Sequence, residues 1–210
     1  MTADIDGSVP PALNRPVLEQ LAAFERIILR NPLVDEVLSR ARALALPGWY
    51  LASGCLFQTV WNVLCGLEPT RGIRDYDLCY CDATDLSWEA EDRVIRRCAA
   101  LFADLPAPVE VRNQARVHLW YAERFGAPCP PHASSEAAIN CFAATACCVG
   151  GRREPDGRLV VYAPYGFNDL FGLVVRPNVA VAPASVYRQK AERWRALWPQ
   201  LTVLPWPASS

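Results

Sequence analysis

Between residues 17 and 46 the apolar positions recur at helical spacing: Leu18, Leu21, Phe24 and Ile28, then Val34, Leu38 and Ala41. Asn31-Pro32 falls between the two sets. It should end one helix and open the next, because proline suits a first helical position. Residues 49–52 read as a short strand broken by Ser53-Gly54, and 55–67 as a helix with Leu56, Thr59, Val60, Val63 and Leu64 inward. A strand, a glycine turn and a helix in that order leave unpaired N–H groups at the helix start, which can receive an anion.

An apolar strand is expected over 75–81, and a helix over 88–102 with Trp88, Val94, Ile95, Cys98, Leu101 and Phe102 apolar. A short strand at 109–112 should turn its valines to one side and Glu110 and Arg112 to the other. Asn113 is placed to cap a helix over 114–124 that Gly126 closes. After a proline-rich loop at 127–133 come a short helix from Ser135 and two apolar runs, 147–149 and 159–162. Pro155-Asp156-Gly157 between those runs signals a hairpin. A last helix over 184–198 carries Tyr187, Ala191, Trp194 and Trp198 on one stripe, the pattern of a core face. Strands and helices mix throughout, so the expected class is α/β (α+β): a small mixed sheet flanked by helices.

One run carries chemistry. Arg71-Gly72-Ile73-Arg74-Asp75-Tyr76-Asp77 sets two carboxylates at the head of the strand over 75–81. Residues two apart in a strand share a face, so Asp75 and Asp77 stand side by side. Like charges that close raise each other's pKa unless a cation lies between them, and oxygen ligands suit a hard ion such as Mg²⁺. The plain alternative is that Asp75 caps the turn after Gly72 and Asp77 pairs with a nearby arginine.

Composition narrows the picture. The chain has 210 residues, 52% hydrophobic and 20% charged, which fits one sizeable globular domain after a loose tail over 1–15. A net charge of −1 gives no broad field for a nucleic-acid backbone. Lys190 is the single lysine among 21 basic residues. Nine cysteines without a C-x-x-C pair, beside only two histidines, argue for core packing rather than a zinc knuckle. Cys79-x-Cys81 and Cys147-Cys148 fit the same reading. The absence of a signal sequence, the odd cysteine count and the lack of a long apolar span lead to the expectation of a cytoplasmic protein with no membrane contact.

Several blocks then resemble a known family: residues 54–62, the strand 74–80, the long block 110–120, residues 163–171, and Arg176-Pro177-Asn178. Together they are similar to bacterial nucleotidyltransferase-like proteins of the polymerase-beta superfamily, over roughly residues 17–206. The resemblance implies a nucleotidyltransferase domain over 16–210, with a C-terminal hairpin and helix. It implies catalysis and Mg²⁺ (or Mn²⁺) binding by Asp75, Asp77 and Glu110, and nucleotide phosphates held by Ser53, Gly54 and Cys55 with Arg74 and Lys190; Arg71 is a further candidate cation. Relatives carry Gly-Ser where this chain has Gly54-Cys55, so the phosphate contact there falls to backbone N–H groups. Asn168 stands where relatives carry an acid.

Two metal ions about 3.5–4 Å apart can clamp the attacking and leaving oxygens of an in-line displacement at phosphorus, and three carboxylates suit such a pair. Gln58 and Asn62 are expected to tie helices to the sheet, and His118 to be a satisfied core histidine. The implied partners are an NTP and an acceptor that is a small molecule, a protein or an RNA end, with the acceptor side expected after about residue 130. A nucleotide-sensing or protein-interaction module without turnover, its binding surface around exposed aromatics of the last helix, is the competing reading.

Overall fold

The computed structural model describes residues 13–208. The expected loose tail over 1–15 therefore lies outside the described residues except at 13–15. There the Asn14 N–H donates to Asn168 Oδ1 at 3.1 Å. α1 (Val17–Ile28) and α2 (Pro32–Arg40) divide at Asn31, whose side chain accepts from Leu33 N and Val34 N while Pro32 takes the first helical position. Asn31 is fully buried, and its amide also donates to Thr59 Oγ1 at 2.9 Å and Tyr76 OH at 3.1 Å. The residue that separates two helices thus also fastens them to the sheet.

β1 (Tyr50–Ala52) leads through Ser53 into α3 (Gly54–Leu64), and then come β2 (Tyr76–Tyr80), α4 (Trp88–Leu101) and β3 (Val109–Asn113). After a 3-10 turn at Gln114–Leu119 follow α5 (Tyr121–Phe125), α6 (Ser135–Ile139), β4 (Gly150–Arg153), β5 (Leu159–Tyr162), α7 (Asn168–Phe171), β6 (Val174–Val175), α8 (Ala184–Leu197) and β7 (Thr202–Val203). The main sheet runs β3-β2-β1-β4-β5, and β6 pairs with β7 in a separate parallel pair. β2 is parallel to β3, whereas β1 is antiparallel to β2 and β4, so the sheet is mixed, as its sequence pattern implied.

β2 is covered on both faces. Tyr76, Leu78 and Tyr80 belong to the main core, while Cys79 packs with Tyr50, Ala52, Ile139 and Cys148 on the other side. Asp77 shares that second face, under the segment that contains α6 and Cys148. The α8 stripe is core as expected: Trp194 lies 5.2 Å from Phe57 and 5.8 Å from Trp61, and Trp198 lies 5.5 Å from Trp61. Buried Tyr187, Trp194 and Trp198 leave no exposed aromatic stripe on α8, so the surface invoked for an interaction module is absent from that helix. Asn62 ties this layer together, accepting from Trp198 Nε1 at 2.9 Å and donating to the carbonyls of Pro69 and Arg71.

Three expectations need correction. The helix over 114–124 is a 3-10 turn followed by α5, because the chain must turn sharply off β3. Asn113 caps the turn by accepting from Ala115 N, and Gly126 closes α5 in the left-handed conformation. The strand placed at 147–149 lies at 150–153 instead. A Cβ on Gly150 would stand 2.8 Å from Ile139 Cδ1 and 3.1 Å from Tyr50 Cδ1, so the strand begins with glycines rather than an apolar run. His118 is not satisfied: its Nδ1 is buried without a hydrogen-bond partner. All nine cysteines are free thiols. No described helix is long and apolar enough to cross a membrane.

Candidate active site

Strand pairing brings two of the expected carboxylates together. Asp77 on β2 and Glu110 on β3 are register partners in a parallel pair, and Ala52 is the partner of Asp77 on the other side. In-register residues on neighbouring strands sit about 4.7–4.9 Å apart across the sheet. Asp75 lies just ahead of β2 and is partly buried. The Asp77 carboxyl is pushed up to about 7, first by burial and next by the negative charges of Asp75 and Glu110; Lys190 and Arg112 oppose the rise. Asp75 and Glu110 thus both lie within electrostatic reach of Asp77, although Asp75 is not among the residues that line the cavity beside it.

Asp77 and Glu110 open into a cavity of about 340 Å³. On its β1 flank lies Ser53, the residue before α3. Ser53 has φ 56° and ψ −113°, a conformation that non-glycine residues rarely adopt, and is held by its N–H donating to Val149 O at 2.9 Å. Its side chain makes no capping hydrogen bond, so the first N–H groups of α3 gain no side-chain cap from it. Cys55 points away: it is fully buried, its thiol 3.8 Å from Ala52 O, and burial holds the thiol well above its ordinary pKa. The Cys55 thiol is therefore a core group.

Lys190 on α8 lines the cavity. Arg71 and Arg74 are exposed and are not among its lining residues. Arg112 stands against one of the acids, donating to Glu110 Oε2 at 3.2 Å. Arg112, Gln114, Trp120, Tyr121, Arg124 and Phe125 line the cavity from before residue 130, and Cys141, Phe142, Val186, Lys190 and Trp194 line it from after. Arg112 was legible, since it follows Glu110 by two residues and so shares its strand face. The aromatic wall carried no sequence signal, because its approach to the acids depends on the turn after β3.

The wall is held firmly from behind. Glu91 on α4 is buried, accepts from Asn113 N at 2.8 Å, and pairs with the buried Arg116 of the 3-10 turn. Arg116 also donates to Leu86 O at 2.9 Å. The end of β3 and the turn after it are thereby bolted to α4.

The donor chemistry, a buried carboxyl at Asp77 whose charge is made costlier by Asp75 and Glu110, fits a hard cation. As they stand among the described residues, no three acidic, histidine or cysteine side chains form a ready-made metal cage, and Glu110 is drawn aside by Arg112. Asn168 accepts from Gln20 Nε2 at 2.6 Å and ties α7 to α1.

Comparison with known proteins agrees with this architecture. A family described as nucleotidyltransferase matches residues 39–203. A solved structure described as an NMR structure revealing a CCA-adding enzyme head domain is similar at 24% identity and a TM-score of 0.69, with 90% of this chain and 96% of that chain covered. At that identity the likeness is one of fold. Curated proteins gave no match. With most of its length inside the family match and a polymerase-beta-type fold around the paired acids, the chain belongs to the nucleotidyltransferase family.

Proposed function

We propose that the protein moves a nucleoside monophosphate from an NTP onto an acceptor hydroxyl, with Asp75, Asp77 and Glu110 holding magnesium. The observation that carries this reading is the Asp77–Glu110 register pair at the mouth of a cavity whose other flank is the start of α3. When bound, the cation supplies neutralisation of the phosphate charge and of the charge developing on the reacting oxygens. The β- and γ-phosphates lie along Ser53 and Gly54, where the uncapped N–H groups of Gly54 and Cys55 donate, and Lys190 offsets their charge.

The acceptor oxygen attacks the α-phosphorus. A new P–O bond forms, the bond to the β-phosphate oxygen breaks, and pyrophosphate leaves. Glu110, half-exposed at the β3 edge, takes the proton from the attacking hydroxyl and passes it to solvent. Arg112, which donates to Glu110, orients its carboxylate. The low dielectric around Asp77 strengthens each of these interactions.

Titrating the four Mg-NTPs into wild type and Asp77→Asn tests the reading. Metal-dependent binding that is lost in the variant supports it; binding that is unchanged in the variant refutes it.

A further inference from the structure

The β3 flank of the cavity has a chemistry of its own, and its interpretation rests on the nucleotidyl-transfer reading above. In the order β3-β2-β1, Asp77 occupies the middle strand, with Ser53 and α3 on one side and Glu110 on the other. If the triphosphate lies at the start of α3, an attacking hydroxyl must come from the Glu110 side, because attack and departure are in line. The wall on that side is Trp120, Tyr121 and Phe125. Their ring centroids lie 6.4 Å (Trp120–Tyr121), 6.3 Å (Trp120–Phe125) and 4.6 Å (Tyr121–Phe125) apart.

Arg124 lies over this group, its guanidinium carbon 5.9 Å from the Trp120 ring centre and 5.6 Å from that of Phe125. Arg124 is exposed, and among the described residues no carboxylate stands within ion-pair distance of it. Arg112 has one acidic partner, Glu110, which is the group that a bound cation would claim. Once Glu110 turns to a cation, two guanidinium groups face the acceptor side without an anion.

We propose that this wall is the acceptor subsite and that it selects a planar, anionic acceptor: a hydroxyl compound bearing an aromatic ring and a phosphate or carboxylate. The rings supply a stacking surface that tolerates many flat groups. Arg124, pre-positioned by its contacts with two rings, offers its N–H fork to the anionic group, and Arg112 offers a second. A cationic amino sugar meets two like charges there and is excluded. Trp120 and Arg124 are acceptor-binding residues and take no part in holding the triphosphate.

The test uses the full chain saturated with the magnesium complex of an α,β-methylene NTP, which cannot transfer its nucleotide. Adenosine 5′-monophosphate, a trinucleotide ending in adenosine and kanamycin are then titrated by calorimetry into wild type, Trp120→Ala and Arg124→Glu. Adenosine monophosphate or the trinucleotide should bind and kanamycin should not. The tighter of the first two tells whether the anion comes from a free nucleotide or a chain end.

Binding should weaken roughly tenfold or more in Trp120→Ala and be lost in Arg124→Glu, with affinity for the NTP analogue unchanged in both. That unchanged affinity also serves as the folding control. Equal weakening of the analogue itself would make the wall the base pocket of the NTP and overturn the proposal. Binding of kanamycin, or of none of the three, would overturn it as well. Failure of wild type to bind the NTP analogue at all is a separate result, and it strikes the nucleotidyl-transfer reading first.

Discussion

Asp77→Asn keeps the shape of the side chain and removes its charge, so the variant measures what the carboxylate costs the fold. In the unfolded chain the carboxyl titrates near its ordinary value of 3.8; in the folded protein it titrates near about 7. Between those values the folded state holds a proton that the unfolded chain has released. Stability contributed by that proton is present at low pH and is lost as pH rises through about 7.

From about pH 5 to about pH 8.5 the wild type crosses roughly two pKa units of this window, worth about 3 kcal/mol. The asparagine variant pays no such cost. Its advantage over wild type should therefore grow by about 3 kcal/mol across that interval, on the order of 6–12 °C in Tm for a chain of this size. Thermal unfolding followed by circular dichroism at the two pH values, in chelator, measures it. Magnesium added at the higher pH should restore wild type and leave the variant unmoved. An advantage that is the same at both pH values would refute the reasoning, since it would mean that Asp77 is ionised and already compensated in the folded protein.

Other consequences concern the frame around the site. Glu91→Ala strands a buried guanidinium at Arg116 and should cost about 3–5 kcal/mol in urea unfolding; because the turn after β3 hangs on this pair, protection of its amides from hydrogen exchange should fall with it. Trp198→Phe leaves Asn62 Oδ1 without its indole donor and should cost about 1–3 kcal/mol, read from the same urea curves, with binding at the Asp77 cavity unaffected.

How much of this could be read in advance depended on whether the signal was local. Asn31-Pro32 divided two helices as its chemistry demands, and the acidic strand stood out because Asp75 and Asp77 interrupt an apolar run. The α8 stripe announced a core face by its spacing alone. Glu110 came from resemblance, since one acid in a four-residue strand is unremarkable until strand pairing sets it beside Asp77.

The misses share a cause as well. Arg74 looked well placed in sequence, yet it lies outside the cavity lining, while Arg112 and Arg124 reach it from a strand and a helix further on. Gly150 helped to conceal β4, because Tyr50 and Ile139 leave no room there for the side chain that usually marks a strand. β6 and β7, two residues each, are too short to carry a period, and their pairing depends on long-range contacts.

The most direct test of the central claim is calorimetric titration of Mg-NTPs into wild type and into the double variant Asp75→Asn/Asp77→Asn, with and without chelator. It needs no knowledge of the acceptor. Binding to wild type should disappear both in chelator and in the double variant. Binding that survives in the double variant, or that ignores the chelator, would contradict the placement of a metal–triphosphate site on these carboxylates.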